Sequence, residues 1–246
     1  MSKPIENLGG SDVAAFRTAI DPHVRAVLDP ELDQLAALAS DVQTLKYGSG
    51  LAITSLTATP SAPLERGASV NISLAWAISG AVTAQTLTDS VSGPLALSNV
   101  ATDRAKTVIG VSSSRTFTLS ATNAGAPGGA DTKSRTVDVT FLPRRFWGTS
   151  DNAALTGAQI IALASSELSG GRARAGSSDG GGGDGDYLFY AYIAELGDPN
   201  LYRLYGYDET PVKTTVAVTT AAGLTANYTV LRSPNKLAGV VAWEVA

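Results

Sequence analysis

Acid–base and metal chemistry need side chains that this sequence supplies sparingly. Its single histidine, His23, falls in a helical stretch, and a Ser–His–Asp relay would have to borrow it across a domain boundary. His23 therefore reads as a solvated or packed helix position. Cysteine is absent, which removes disulfides, thiolate metal sites and thiol nucleophiles together. One histidine without cysteine would need several convergent carboxylates to hold zinc, and no spacing offers them. The stretch SSDGGGGDGDY sets Asp179, Asp184 and Asp186 among glycines. Calcium loops use such a mixture because tight turns must bring oxygens together. Yet the closing Glu of an EF-hand loop is missing, and Asp184 stands where a nonapeptide calcium repeat requires Gly. No GK[ST] follows the glycine run, so it is not a P-loop. It reads as a mobile surface loop.

Two further groups could do chemistry. Glu195 and Asp198 could be paired as glycosidase carboxylates, but only their presence supports this. Arg172 and Arg174 beside the glycine run could meet a phosphate, although a solvated loop accounts for them. No catalytic, cofactor-binding or metal-binding residue emerges, and a non-enzymatic chain without cofactors is expected. Tyrosine is the remaining enrichment. Six of the eight, Tyr187, Tyr190, Tyr192, Tyr202, Tyr205 and Tyr207, fall in one hairpin-like region. A tyrosine pairs a large rigid face with a polar tip, which suits subunit contact or carbohydrate stacking. It is equally a strand and core residue. Tyr202, Tyr205 and Tyr207 form the candidate contact surface, with a host-surface glycan as one ligand it could meet.

The elements that position these residues follow from composition and periodicity. A chain of 246 residues holds one large domain or two to three small ones. With 44% hydrophobic but only 7% aromatic residues, its cores must rest mainly on Ala, Val, Leu and Thr. A net charge of −4 gives no whole-protein grip on nucleic acid. No apolar run reaches membrane-spanning length. MSKPIENLGG has no apolar core of a secretory signal, so synthesis in a cytoplasm is expected.

Residues 1–50 read as a helical assembly or docking segment. Ser11 can cap a first helix, and Asp21-Pro22 and Asp29-Pro30 each place a capping acid before a proline. Two short helices and a longer one, PELDQLAALASDVQTLK, are expected. Leu35, Leu38, Val42 and Leu45 follow 3-4-3 spacing in the longer helix, a narrow apolar seam. That seam either packs on the chain's own β-domains or joins copies of the chain.

From residue 51 to 142 the period changes to two. VNISLAWAI, RTFTLSAT and TVDVTF alternate apolar and polar residues, with ITSLTATP, AQTLTD and KTVIGV as shorter candidates. Six or seven short strands around a buried Trp76 fit a disulfide-free Ig-like β-sandwich. Residues 143–246 read as a β-rich α+β domain with one helix. TGAQIIALASSEL sets Ile160, Ile161, Leu163 and Leu168 along a helix begun by Thr156, and about five strands follow, with YLFYAYIAEL central. The fold class is thus mainly β with an N-terminal helical segment. Between the two β-domains, Pro143 should end the last sandwich ladder. Phe146 and Trp147 would then wedge into a domain hinge, with Arg144 and Arg145 on its rim. An exposed ligand spot is the alternative for the same rings.

ITSLTATPSAPLERGASVNISLAWAISG, followed by a closing strand and the step RRFWGTSD, resembles Ig-like modules in structural proteins of tailed bacteriophages. Those sandwiches open with a pattern of the form I-T-S-(F/L)-T-(A)-(T/N)-P … G … V … L-x-W. A domain with a strand like YLFYAYIAELGDP and an ending like NYTVLRSPNKLAGVVAWEV commonly follows it. The likeness runs from Ile53 to Ala246 and brings no catalytic motif. It implies a viral protein of the virion, such as a tail fibre, spike, collar or baseplate-associated component, made in the host cytoplasm. It also implies a homo-oligomer with a trimer favoured, since fibres and spikes are commonly threefold, and contacts with other virion proteins. A bacterial cell-surface adhesin or polysaccharide-binding module is the competing class. Neither nucleic acid nor a membrane span is expected among its partners.

Overall fold

A computed structural model describes residues 22–47, 50–126 and 129–246 and, within the first helix, the side chains of residues 30–42. That helix, α1, spans Pro22–Tyr47. Pro22 takes its first position, where a missing N–H costs no hydrogen bond. Pro30 lies inside it, so the break expected at Asp29-Pro30 does not occur. Proline removes one backbone donor, but the Leu-, Ala- and Gln-rich run beyond it has high helix propensity and carries the ladder on. Ser11 and the helix expected after it lie outside the described residues.

The chain divides into two compact units, each drawn from separate stretches. One holds residues up to Thr59 with Ser73–Thr107 and Thr116–Val137; the other holds Pro60–Ile72, Val108–Arg115 and Asp138–Ala246. This interleaving differs from the contiguous division expected at 142/143. Among the described residues nine strands precede that point: β1 (Ala52–Thr59), β2 (Leu64–Glu65), β3 (Val70–Ser79), β4 (Ala84–Asp89), β5 (Gly93–Leu95), β6 (Ala105–Val111), β7 (Arg115–Asn123), β8 (Asp131–Val139) and β9 (Phe141–Leu142). β2 pairs in parallel with β9, Leu64 opposite Phe141, which is why residues 60–72 group with the C-terminal part.

Seven of these strands make two sheets, ordered β1-β3-β6 and β5-β4-β7-β8. The count and alternation are those an Ig-like sandwich requires. In β3, Leu74 and Trp76 are buried between exposed Ser73, Ala75 and Ala77. In β7, Phe117, Leu119 and Ala121 are buried on alternate positions. Trp76 donates its indole N–H to Gln85 Oε1 at 3.0 Å, and Gln85 Nε2 donates to the Asp103 carbonyl at 2.8 Å. Both polar ends of this buried glutamine are thereby satisfied, and β3 is tied to β4 of the opposite sheet.

The second unit continues with β10 (Arg144–Ser150), α2 (Gly157–Ile161), β11 (Ser165–Leu168), β12 (Arg174–Asp179), β13 (Tyr187–Ile193), β14 (Tyr202–Leu204), β15 (Tyr207–Asp208), β16 (Val212–Thr219), β17 (Thr225–Arg232) and β18 (Val240–Val245). They form a five-stranded sheet, β11-β10-β13-β17-β16, and a four-stranded sheet, β12-β18-β14-β15. Thr156 does cap α2, in a capping box with Gln159, and Ile160 is buried. The helix stops at Ile161, well short of the expected Leu168. Residues 165–168 instead pair antiparallel with β10, Leu168 opposite Arg144. A sheet edge with open backbone groups outcompetes one more helical turn there.

The glycine-rich stretch also departs from expectation. Arg174–Asp179 is a full strand against β18. The turn after it is fastened: Gly180 donates to Gly239 O at 2.7 Å, and Asp186 and Leu237 exchange backbone bonds at 3.0 and 2.8 Å. A Cβ on Gly180 would lie 2.1 Å from the Leu237 carbonyl oxygen. Glycine serves close backbone approach here. It does not make a free loop.

β13 is central, as expected, and is buried from Leu188 to Ile193. Leu188, Tyr190 and Tyr192 enter one core with Trp147, Leu231 and residues of the four-stranded sheet. Phe189, Ala191 and Ile193 enter a second core with Phe146, Ile160, Val218 and Tyr228.

Trp76→Ala should destabilise the sandwich by about 3–5 kcal/mol, the range for deleting a large buried aromatic. Trp76→Phe keeps most of the packing but strands Gln85 Oε1 without its donor, so it should cost about 1–3 kcal/mol. Denaturant unfolding of both variants measures this, and a loss below about 1 kcal/mol for the alanine would place Trp76 outside the core.

Candidate functional site

All five expected hinge residues lie inside the second unit. Phe146 and Trp147 are adjacent positions of β10, so their rings leave the sheet on opposite faces. Phe146 packs against Tyr228, with centroids 5.9 Å apart, and Trp147 against Trp243 at 6.3 Å. Neither is a wedge between domains or an exposed ligand spot. Pro143 joins β9 to β10, and its carbonyl accepts from Ser169 N at 3.0 Å. Arg144 does not stand on a solvent rim, because Glu65 Oε2 takes its Nε and Nη2 at 2.8 Å each.

Arg145 is buried. Its guanidinium binds Glu167 through Nε and Nη2, and through Nη1 it reaches the Gly171 and Ala173 carbonyls and Tyr190 Oη. Arg174 shares Glu167 at 2.5 Å and lies 3.8 Å over the Trp147 ring. Arg172 donates to the Leu196 carbonyl at 2.8 Å. The two arginines expected to be solvated are therefore structural ties. Burial alone would raise the Glu167 carboxyl, but Arg145 and Arg174 outweigh it and hold it below the usual range. A lowered folded-state value contributes stability above the ordinary carboxylate range, and this is lost as pH falls through the folded value.

The tyrosines separate by environment. Tyr190, Tyr192, Tyr202 and Tyr228 are buried. Burial raises all four hydroxyls, Tyr192 and Tyr228 to about 12. Their raised values contribute stability below the ordinary tyrosine range, and it is lost as pH rises through the folded values, about 12 for Tyr192 and Tyr228. Tyr202 thus leaves the expected contact surface for the core. Tyr205 and Tyr207 stay on it, 49% and 75% exposed. Tyr205 and Gly206 make up a two-residue hairpin turn, with φ 53° and 84°, and Tyr207 follows it. Sequence reasoning missed Arg203, Asp208 and Glu244 beside that turn. The first two were legible as cross-strand neighbours once YRLYGYD is read as a hairpin.

The seam on α1 is open. Leu35, Leu38 and Val42 are 46%, 59% and 45% exposed, and no residue from 30 to 42 is buried. These three side chains are exposed rather than packed. The side chains of Leu45 and His23 lie outside the described residues.

The remaining candidates do not converge. Glu195 pairs with Arg66 at 2.8 Å and Asp198 with Lys213 at 2.7 Å, so each has its own cation. Asp179 Oδ1 accepts from Gly181 N at 2.9 Å, and Asp184 is exposed. Among the described residues no three His, Asp or Glu side chains group as a metal site would need. No helix among them is long and apolar enough to cross a membrane.

Arg145→Ala should destabilise the second unit by about 1–3 kcal/mol, because it removes the donor to the Gly171 and Ala173 carbonyls and one of the two cations on Glu167. Glu167→Gln should flatten the acid side of the stability profile, since the group responsible no longer titrates. Thermal melts from pH 3 to 7 compare the variants; parallel profiles for wild type and Glu167→Gln would contradict the assignment.

No protein-family model, curated protein or solved structure matches this chain.

Proposed function

We propose that the chain is a non-enzymatic structural component of a tailed-bacteriophage virion, of the fibre, spike, collar or baseplate-associated kind. In this reading α1 joins copies of the chain, a trimer being favoured, and the two β-rich units brace or project. The observation that carries it is the uncovered seam of Leu35, Leu38 and Val42. Three apolar side chains at 3-4 spacing form the contact stripe of a helical bundle. Burying each adds about 1.5–3 kcal/mol. Leucine at both seam positions does not by itself fix the number of strands; the trimer comes from the resemblance of residues 53–246 to phage structural modules.

Glu195 and Asp198 are each held by a cation of their own, Arg66 and Lys213.

Light scattering on the full chain should give the mass of three copies, and Leu38→Asp with Val42→Asp should give a monomer with unchanged β-sheet circular dichroism. The protein should also appear in purified particles of the phage that encodes it. A monomeric wild type, absent from such particles, would remove the proposal.

A further inference from the structure

Three of the four buried tyrosines donate their hydroxyls to backbone carbonyls, Tyr190 to Arg172 O, Tyr192 to Gly197 O and Tyr228 to Arg144 O. Tyr202 is the exception. It is only 4% exposed, and its hydroxyl oxygen is shut off from water without a hydrogen-bond partner among the described residues. A buried hydroxyl left unpaired carries its full desolvation cost, so this group is incomplete as it stands.

The same residue lines a cavity of about 280 Å³, whose walls also include Leu201, Glu209, Pro211, Lys213 and Leu231. All of these belong to the second unit. Glu209 N donates to Tyr202 O at 2.9 Å, which extends the register that sets Arg203 opposite Asp208. Tyr202 and Glu209 therefore stand opposite one another and leave the hairpin on one face. Burial first, and then the Glu209 charge, raise the Tyr202 hydroxyl. It stays protonated at neutral pH and can both donate and accept.

Charge in the cavity is left over on one side. Lys213 Nζ donates to Asp198 Oδ2 at 2.7 Å, so those two groups hold each other. Among the described residues no side-chain hydrogen bond or ion pair holds the Glu209 carboxylate. Two groups thus remain to be matched, a carboxylate that only accepts and a phenol oxygen that can accept. Leu201, Pro211 and Leu231 supply apolar wall beside them.

We propose that this cavity binds a primary alkylammonium group, carried by a free amine or by a lysine side chain of another protein. An ammonium has three donors and no acceptor. One donor would meet Glu209 in a charge-assisted bond, and a second would meet the Tyr202 oxygen. The alkyl stem would lie along the leucine and proline walls, as lysine stems do on apolar surface. An anion would face the Glu209 charge, and a neutral alcohol would leave that charge unpaired. The cavity falls just below the usual range of about 300–1,000 Å³ for drug-sized ligands, so the group it takes is small. This site goes beyond the structural-protein reading and does not depend on α1.

The full chain is titrated at pH 7 with n-butylammonium chloride, and with 1-butanol and sodium butyrate as the neutral and anionic counterparts. Amide shifts read binding at residues 198–202, 209–213 and 231. Butylammonium should give a saturable response there and the other two should not. Nα-acetyl-lysine N-methylamide distinguishes the sources: binding tighter than butylammonium assigns the site to a protein side chain, and weaker binding to a free amine. Glu209→Gln should weaken the butylammonium response by about tenfold or more. Tyr202→Phe should weaken it too while leaving Tm unchanged or higher, because it removes an unpaired hydroxyl. The proposal is overturned if butylammonium gives no saturable response, if butanol or butyrate matches it, or if neither substitution weakens it. A lower Tm for Tyr202→Phe overturns it as well, since the hydroxyl would then already have its partner in an ordered water.

Discussion

Phe146 and Trp147 leave β10 in opposite directions, and the two cores they enter are divided by the backbone of the five-stranded sheet. Next to them β13 repeats the arrangement, sending Leu188, Tyr190 and Tyr192 one way and Phe189, Ala191 and Ile193 the other. A strand buried on both faces can shift register only by exchanging the contents of both cores. The β10–β13 pairing, Trp147 opposite Tyr190 and Gly148 opposite Phe189, therefore fixes where every other strand of the second unit sits. Each aromatic ring buried on this pair removes roughly 150–250 Å² from water. The chain has few aromatics, and it concentrates them where one strand serves two cores.

Burying this many tyrosines creates polar ends that must be satisfied. Tyr190 donates to the Arg172 carbonyl at 2.6 Å, Tyr192 to Gly197 O at 3.0 Å and Tyr228 to Arg144 O at 2.8 Å. The Arg145–Glu167–Arg174 cluster covers the end of β10 and holds the segment after β11 through its carbonyls. Arg145 and Arg174 hold the Glu167 carboxyl below its usual range, while burial raises the tyrosine hydroxyls, and the two together favour the folded unit between the carboxylate and tyrosine ranges. The exposed row Glu244–Arg203–Asp208 is different in kind: its ion pairs are open to water and contribute little to stability.

Local signals survived into the structure and non-local ones did not. Alternation in VNISLAWAI and RTFTLSAT, the capping box at Thr156 and the two-sided apolar run YLFYAYI all report on a residue's own strand or turn, and each was legible. The end of α2 was not, because Leu163 and Leu168 keep helical spacing while residues 165–168 are claimed by β10. Strand β12 was hidden for a similar reason, since its partner β18 lies far along the chain and glycine reveals nothing about its neighbours. Phe146-Trp147 was misread through Pro143: the proline does end one strand, but another begins at the next residue. Tyrosine count pointed to one region, yet place in the sheet decides the outcome: Tyr202 pairs against β18 and is buried, while Tyr205 sits in the turn and Tyr207 on the edge strand β15, both exposed. The seam of α1 was readable from 3-4 spacing, though not whether the chain itself would cover it.

Hydrogen exchange tests the two-core account most directly. If the β10–β13 pair is the constraint on which the second unit depends, the amides of residues 146–148 and 189–193 should exchange only through global unfolding. They should then be the slowest in the unit and share one free energy of opening, above that of the edge strands β16 and β15. Exchange of residues 189–193 at rates comparable to β16 would contradict the account, because a strand buried on both faces cannot open while both cores stay packed.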